Sequence, residues 1–127
     1  VTLYKPTKIN TSIASGSFRV DGMAIVPASM GTIGRIAVGI SGNLIERVAD
    51  VMLKEKRNLI VVPREAPLST IHLKNLLSLD QAGSVILPAS PVFYQGQNSV
   101  DSLVDFVVAR IMDQLGAEQD LMPPYEV

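Results

Sequence analysis

The sequence contains no cysteine, no tryptophan and a single histidine, His72. Without cysteine the chain has no disulfide, no thiolate metal site and no cysteine nucleophile. One histidine cannot form a histidine-based metal cluster within a single chain. The lack of cysteine is compatible with a reducing cytosol, and we expect a cytoplasmic protein without a metal. No apolar run approaches the ~20 residues that a membrane span requires.

Charged residues make up 18% of the chain and the formal net charge is -1, so nothing suggests a global nucleic-acid footprint. Basic residues must therefore act locally. In contrast, 47% of the residues are hydrophobic, which is enough to form a core. A length of 127 residues fits one domain. We expect residues 1–116 to belong to it and residues 117–127 to form a tail that packs on a neighbouring subunit.

Three short apolar runs without alternation have the pattern of buried parallel strands, and each is followed by a loop and a helical stretch. The expected strands cover residues 23–26, 59–62 and 85–87, with a further short strand at residues 2–4, and the expected helices cover residues 33–40, 44–57, 70–82 and 100–115. This order predicts an α/β fold with right-handed βαβ units and a mainly parallel sheet. Ligands bind such sheets outside the carboxyl ends of the strands.

The predicted helices carry capping signals at their ends. Asn43 with Glu46 predicts a capping box at the second helix. Ser69 or Thr70 is the expected N-cap of the third helix, Ser99 is the expected N-cap of the last one, and Gly116 is the expected stop of that last helix.

The loop Ser29-Met30-Gly31-Thr32 joins the first apolar run to a helix N-terminus. Free backbone N–H groups and the helix dipole favour an anion there, and the two hydroxyl groups add donors. Gly31 permits close approach of a ligand. The alternative is an ordinary capped junction between a strand and a helix.

Arg64 and Glu65 follow directly on the second apolar run. A guanidinium at this position can hold a phosphate or a carboxylate through two parallel hydrogen bonds. Glu65 can pair with Arg64 or, when partly desolvated, donate a proton. The alternative is a purely structural ion pair. Because three loops converge at one edge of the sheet, we expect an anionic-ligand site around residues 63–67.

Four other side chains are candidates for binding an anion. Tyr94 follows the third strand, and the alternative is an interface or core aromatic. Arg47 and Lys54 lie on one face of the second predicted helix, where a solvated surface is the alternative. Arg110 lies among apolar neighbours and needs a partner, which a subunit interface or a bound anion would supply. His72 is expected to be a surface or packed residue.

Seven segments together resemble the flavin prenyltransferases (UbiX/Pad type), within the group of homo-oligomeric flavin-containing Cys decarboxylase-like proteins. They are ASGS (14–17), PASMGT (27–32), NLIERVADVMLKE (43–55), VVPREAP (61–67), IHLKNLL (71–77), PVFY (91–94) and DFVVAR (105–110). The resemblance covers nearly the whole chain beyond Thr11. It implies a Rossmann/flavodoxin-like three-layer sandwich in a trimer-based homo-oligomer, up to a dodecamer.

Members of this family join a dimethylallyl group from dimethylallyl phosphate to reduced FMN without a metal. The prenylated flavin serves partner decarboxylases, including those of ubiquinone biosynthesis. By this resemblance, the FMN-binding residues are Ser29, Met30, Gly31, Thr32 and Arg64. The residues around the prenyl phosphate are Lys54, Arg64, Tyr94 and Arg110, some of them from a neighbouring subunit. The resemblance makes Glu65 and Arg47 the catalytic residues, Glu65 in proton transfer and Arg47 in the charged network.

The sequence departs from the family at several positions. The family often has Cys in place of Ala28, a larger residue such as Lys in place of Gly31, and Arg-Trp in place of Pro124-Tyr125. It also opens with a strand, a Gly-Ala-Ser-Gly loop that cradles flavin, and an acidic residue near the flavin. Nothing before Val1 matches these, so we expect an N-terminally incomplete fold that lacks about two βα units of ~30 residues each.

Two other functions compete with prenyl transfer. One is a related flavin-dependent decarboxylase acting on a cysteine-containing peptide or a pantothenate derivative, against which the Lys54, Arg64, Tyr94 and Arg110 set argues because it suits an isolated phosphate. The other is a non-catalytic, oligomeric flavin-binding module.

Overall fold

A computed structural model describes residues 1–94, 96 and 99–122 of the chain. Its sheet has three parallel strands in the order β1 (Gly22–Ala28), β2 (Asn58–Pro63) and β3 (Val85–Ile86). The α/β fold with a parallel sheet is therefore confirmed. The third strand is one residue shorter than expected, although the Leu87 N–H still donates to the Val61 carbonyl at 2.8 Å.

The described residues form four α-helices and one short 3-10 helix, Ser12–Ala14. The helices are α1 (Met30–Ala37), α2 (Leu44–Lys54), α3 (Thr70–Gln81) and α4 (Val100–Leu115). Helix α1 begins at Met30, earlier than the predicted start after Thr32. Helices α1 and α2 also end earlier than predicted, since Gly39 and Lys56 adopt positive φ angles of 82° and 54° just beyond them. The prediction of a strand at residues 2–4 is wrong, because this exposed segment pairs with no strand.

The core lies on both faces of β2. Leu59 and Val61 pack into one buried cluster with residues of α1, α2 and α3. Ile60 and Val62 pack into a second cluster with Ile111 of α4. All four β2 side chains are 0% exposed. Side chains alternate between the two faces of a strand, and both faces of β2 are covered, so this run is apolar at every position. Burial on both faces also fixes the point at which the chain leaves the sheet after residue 63.

Serine and asparagine side chains cap the helices as the sequence predicts. Ser69 accepts a hydrogen bond from the His72 N–H at 3.1 Å, and the Nδ1 atom of His72 accepts one from the Ser69 N–H at 3.1 Å. His72 thus takes the place of the acidic partner in a capping box. At the other end of the chain, Ser99 caps α4, and Gly116 ends it with a φ angle of 73°.

Polar contacts hold the segment before β1 to Arg57, which precedes β2, and the segment after α4 to α4 itself. Arg57 donates to the carbonyl oxygens of Phe18 at 2.7 Å and Gly16 at 2.6 Å. After α4, the Gln119 side chain donates to Asp113 at 3.1 Å. Pro124 and Tyr125 lie outside the described residues, so packing of the tail on a neighbouring subunit stays a prediction. No helix in the described part of the chain is both long and apolar enough to cross a membrane.

We expect Ser69→Ala to lower the free energy of unfolding by about 1 kcal/mol, because the first turn of α3 loses its N-cap acceptor. Ser78→Ala is the matched control. Ser78 is an exposed serine of the same helix, and its hydroxyl donates to the Lys74 carbonyl at 3.0 Å without capping any free N–H. Urea denaturation followed by circular dichroism measures both variants. Equal stability of the two would show that the cap contributes nothing.

Candidate functional site

The loop after β1 exposes hydrogen-bond donors at the start of α1. The Ser29 hydroxyl accepts from the Thr32 N–H at 3.1 Å and donates to the Thr32 Oγ1 at 3.0 Å. The N–H groups of Met30 and Gly31 donate no hydrogen bond within the described residues. The first turn of α1 contains no acidic residue. Its positive dipole end is therefore available to an anion.

The loop after β2 carries Arg64 and Glu65, both exposed. Glu65 accepts a hydrogen bond from the Ala66 N–H at 3.3 Å. Among the described residues Glu65 forms no ion pair with Arg64, so the structural ion pair considered from the sequence does not form. Both side chains are free to meet a ligand.

Two adjoining clefts open at this edge of the sheet, and Arg64 and Glu65 line both. One cleft of about 250 Å³ lies between the loops after β1 and β2, and Ser29 and Met30 line its other side. The second, of about 240 Å³, lies between the loops after β2 and β3 and is bounded by residues 88–90. The fold thus brings Ser29, Met30, Arg64 and Glu65 together, with Gly31 and Thr32 next in the same loop.

The other candidate residues lie apart from these clefts within one chain. Lys54 is the last residue of α2, just before β2 begins, and its Nζ lies 3.7 Å from Glu55. It is therefore near the amino end of a strand that is 6 residues long, or about 20 Å, whereas Arg64 follows the carboxyl end. Arg47 is exposed on α2, and the Tyr94 side chain beyond β3 is 77% exposed.

Arg110 has a partner that the sequence interpretation missed. Its Nη1 atom lies 3.1 Å from the Asp113 carboxylate, one helical turn along α4. Within one chain Asp113 already supplies a partner, and the role of Arg110 at a subunit interface or a bound anion stays a prediction. The spacing of three residues, which places both side chains on one helix face, was a usable signal. Because the Arg110 side chain is half exposed, this pair contributes little to stability.

A partly buried ion pair between Arg35 and Glu46 also escaped the sequence interpretation. The Glu46 side chain is 1% exposed, and its carboxylate accepts from Arg35 Nε and from the Gly42 N–H at 2.8 Å. Arg35 holds the pKa of Glu46 below its usual value, against the opposing effect of burial. Asn43 caps α2 as expected, but the Glu46 carboxylate binds Gly42 rather than the Asn43 N–H, so the predicted capping box is wrong.

Within the described residues, no group of three or more histidine, aspartate and glutamate side chains could hold a metal ion. The two clefts bring the free donors of the loop after β1 close to Arg64 and Glu65 at the carboxyl edge of the α/β sheet, an arrangement that suits an anionic ligand.

The Flavoprotein family profile matches residues 3–112, and the chain belongs to this family. Among curated relatives, the chain is similar to flavin prenyltransferase UbiX of Halalkalibacterium halodurans, with 54% identity over 121 residues that cover 95% of the chain and 59% of the relative. The chain thus spans somewhat more than half the length of this relative.

Two solved structures share the fold. A dodecameric FMN-dependent UbiX-like decarboxylase from Escherichia coli O157:H7 matches with a TM-score of 0.94 and 45% identity, over 98% of this chain and 67% of that one. AnUbiX (PadA1), in complex with FMN and dimethylallyl pyrophosphate, also matches with a TM-score of 0.94, at 42% identity, over 98% of this chain and 66% of that one. The expected flavodoxin-like architecture is confirmed.

We expect Glu46→Gln to flatten the acid limb of the stability profile. The pKa of Glu46 is lowered from 4.5 in the folded state, so the carboxylate stabilises the fold above that pH. This contribution is lost as the pH falls through the lowered folded-state pKa. At pH 7 the variant should lose about 2 kcal/mol, less than a fully buried pair would, because 47% of the Arg35 side chain is exposed.

The control for this measurement is Glu118→Gln, which removes an exposed carboxylate beyond α4. Urea denaturation at a series of pH values between 7 and 3 gives both profiles. A Glu46→Gln profile as steep as that of the unsubstituted protein would contradict the assigned stabilising role.

Proposed function

We propose that this chain carries much of the active site of a flavin prenyltransferase, which transfers a dimethylallyl group from dimethylallyl phosphate to reduced FMN. One observation carries the proposal: Arg64 and Glu65 line both clefts at the carboxyl edge, so one cation can face two neighbouring ligands. The similarity to flavin prenyltransferases supports the choice of these ligands.

On the flavin side, the proposed contacts come from the loop after β1. The free N–H groups of Met30 and Gly31 and the hydroxyls of Ser29 and Thr32 suit the polar oxygens of FMN. Arg64 closes this cleft from the loop after β2. The absence of an acidic residue from the first turn of α1 fits an anionic cofactor.

On the prenyl side, the proposed phosphate contacts are Lys54, Arg64, Tyr94 and Arg110. When bound, reduced FMN supplies a nucleophilic flavin ring. The protein's cations stabilise the negative charge that develops on the phosphate as the allylic carbon–oxygen bond breaks. Tyr94 donates a hydrogen bond to the same group.

Proton handling falls to Glu65, with Arg47 in the surrounding charged network. Glu65 is placed for this role because it lines both clefts and forms no ion pair with its neighbour Arg64 within the described residues. A carboxyl group at such a position can hold or release a proton at a reacting centre.

The same proposal covers the surroundings of the protein. The complete site is formed in a homo-oligomer, to which the tail of residues 117–127 contributes packing against a neighbour. The prenylated flavin passes to a partner decarboxylase, and the protein acts in the cytoplasm.

Arg64→Ala should lower the rate of prenylated FMN formation by roughly 100-fold or more, because the charge on the phosphate loses its shared cation. The purified protein is incubated anaerobically with reduced FMN and dimethylallyl phosphate, and the flavin mass is followed by mass spectrometry. Arg19→Ala, which removes an exposed arginine outside the clefts, is the control. No prenylated flavin from the unsubstituted protein would count against the function, and carbon dioxide release from a cysteinyl substrate would favour a decarboxylase.

A mixture of Lys54→Ala and Arg64→Ala subunits should recover activity that each variant lacks alone. The two residues lie at opposite ends of β2 in one chain, so both can reach one phosphate only from different subunits. With random exchange, about a quarter of the sites would contain both native residues. Subunits are unfolded, mixed and refolded, and the rate of the mixture is measured. Mixed oligomers without recovered activity would place Lys54 outside the site.

A further inference from the structure

Arg35 combines a fixed position with free donors. Its Nε atom donates to Glu46, whose carboxylate is buried and also held by the Gly42 N–H. Within the described residues, its terminal nitrogens Nη1 and Nη2 donate no hydrogen bond. An arginine has five N–H donors. One edge of this guanidinium is therefore anchored while its other donors remain available.

The guanidinium lies over Gly31. A Cβ atom at Gly31 would stand 3.3 Å from Arg35 Nη1 and 3.8 Å from Nη2. Residues four apart share a helix face, and side chains on a helix lean toward its N-terminus. The side chain of Arg35, although it belongs to the last turn of α1, thus brings its charge back to the first turn. Met30, the neighbour of Gly31, lines the cleft shared with Arg64.

Burial of the Glu46 carboxylate beside Arg35 costs free energy, because the carboxylate must be desolvated. Such a buried partner is expected where the arginine must keep one orientation toward a ligand. A glycine at position 31 leaves room for the guanidinium at the point where the backbone N–H groups are free. A side chain there would press against it.

We propose that Arg35 is a further ligand-binding residue, which donates from Nη1 and Nη2 to phosphate-ester oxygens bound beside Gly31, and that Glu46 is its positioning residue. This inference rests on the proposed function, because that function places phosphate esters in these clefts. FMN and dimethylallyl phosphate both carry the required group. Arg35 thus adds a cation from α1 to the one that Arg64 supplies from the loop after β2.

The test compares FMN with riboflavin, which has the same ring system and no phosphate. Fluorescence titration gives the affinities of Arg35→Gln for both flavins, and calorimetry gives its affinity for dimethylallyl phosphate. We expect a loss of about tenfold or more for one phosphate ester and no change for riboflavin. A loss for FMN alone identifies the flavin phosphate as the partner, and a loss for dimethylallyl phosphate alone identifies the prenyl phosphate. Arg19→Gln is the matched control.

A second variant keeps the test valid if Arg35→Gln is unstable. Replacing the pair together, Arg35→Met with Glu46→Leu, removes both charges and fills the space with apolar atoms, a change that folded proteins often tolerate. The same selective loss is expected. Unchanged affinity for both phosphate esters, or an equal loss for riboflavin, would overturn the inference and leave the proposed function intact. If the Arg35 variants lose affinity only for a phosphate ester but the unsubstituted protein transfers no prenyl group, the inference about Arg35 stands and the proposed function is contradicted.

Discussion

Burial of β2 on both faces is the constraint on which the rest of the molecule depends. Leu59 and Val61 face the layer of α1, α2 and α3, and Ile60 and Val62 face α4. Full burial of such side chains contributes roughly 1.5–3 kcal/mol each. The strand therefore cannot shift its register without exposing a whole face. Because the end of β2 is fixed, the exposed and charged loop that begins at Arg64 has a defined position between the two clefts.

The charged residues follow a different logic from the core. The cations Lys54, Arg64 and Arg110 are exposed, and in one chain they are spread over α2, the loop after β2 and α4. In the proposed homo-oligomer, cations from different subunits can meet at one site. Residues of a site that is shared between subunits are expected to lie apart within a single chain, as these residues do.

Local signals in the sequence predict local structure well. The apolar run at β2 and the caps Ser69, Ser99 and Gly116 are encoded within a few residues, so the element type and several boundaries follow from them. The three loops at the carboxyl edge follow from strand order. The predicted helix lengths were wrong where a residue with a positive φ angle ends the helix, as at Lys56, because the residue type at that position does not indicate this conformation.

Long-range polar contacts were beyond the sequence. Arg35 and Glu46 are 11 positions apart on different helices, and only the turn between α1 and α2 brings them together. Glu46 had a plausible local role as a capping residue, and that role concealed the tertiary one. The distinction matters for function. If the Glu46 carboxylate bound the N-cap N–H, Arg35 would lack a fixed partner. The buried carboxylate instead binds Arg35 and holds its guanidinium over Gly31. The orientation of one arginine in the candidate site therefore depends on a choice between two hydrogen-bond partners that local pattern alone cannot decide.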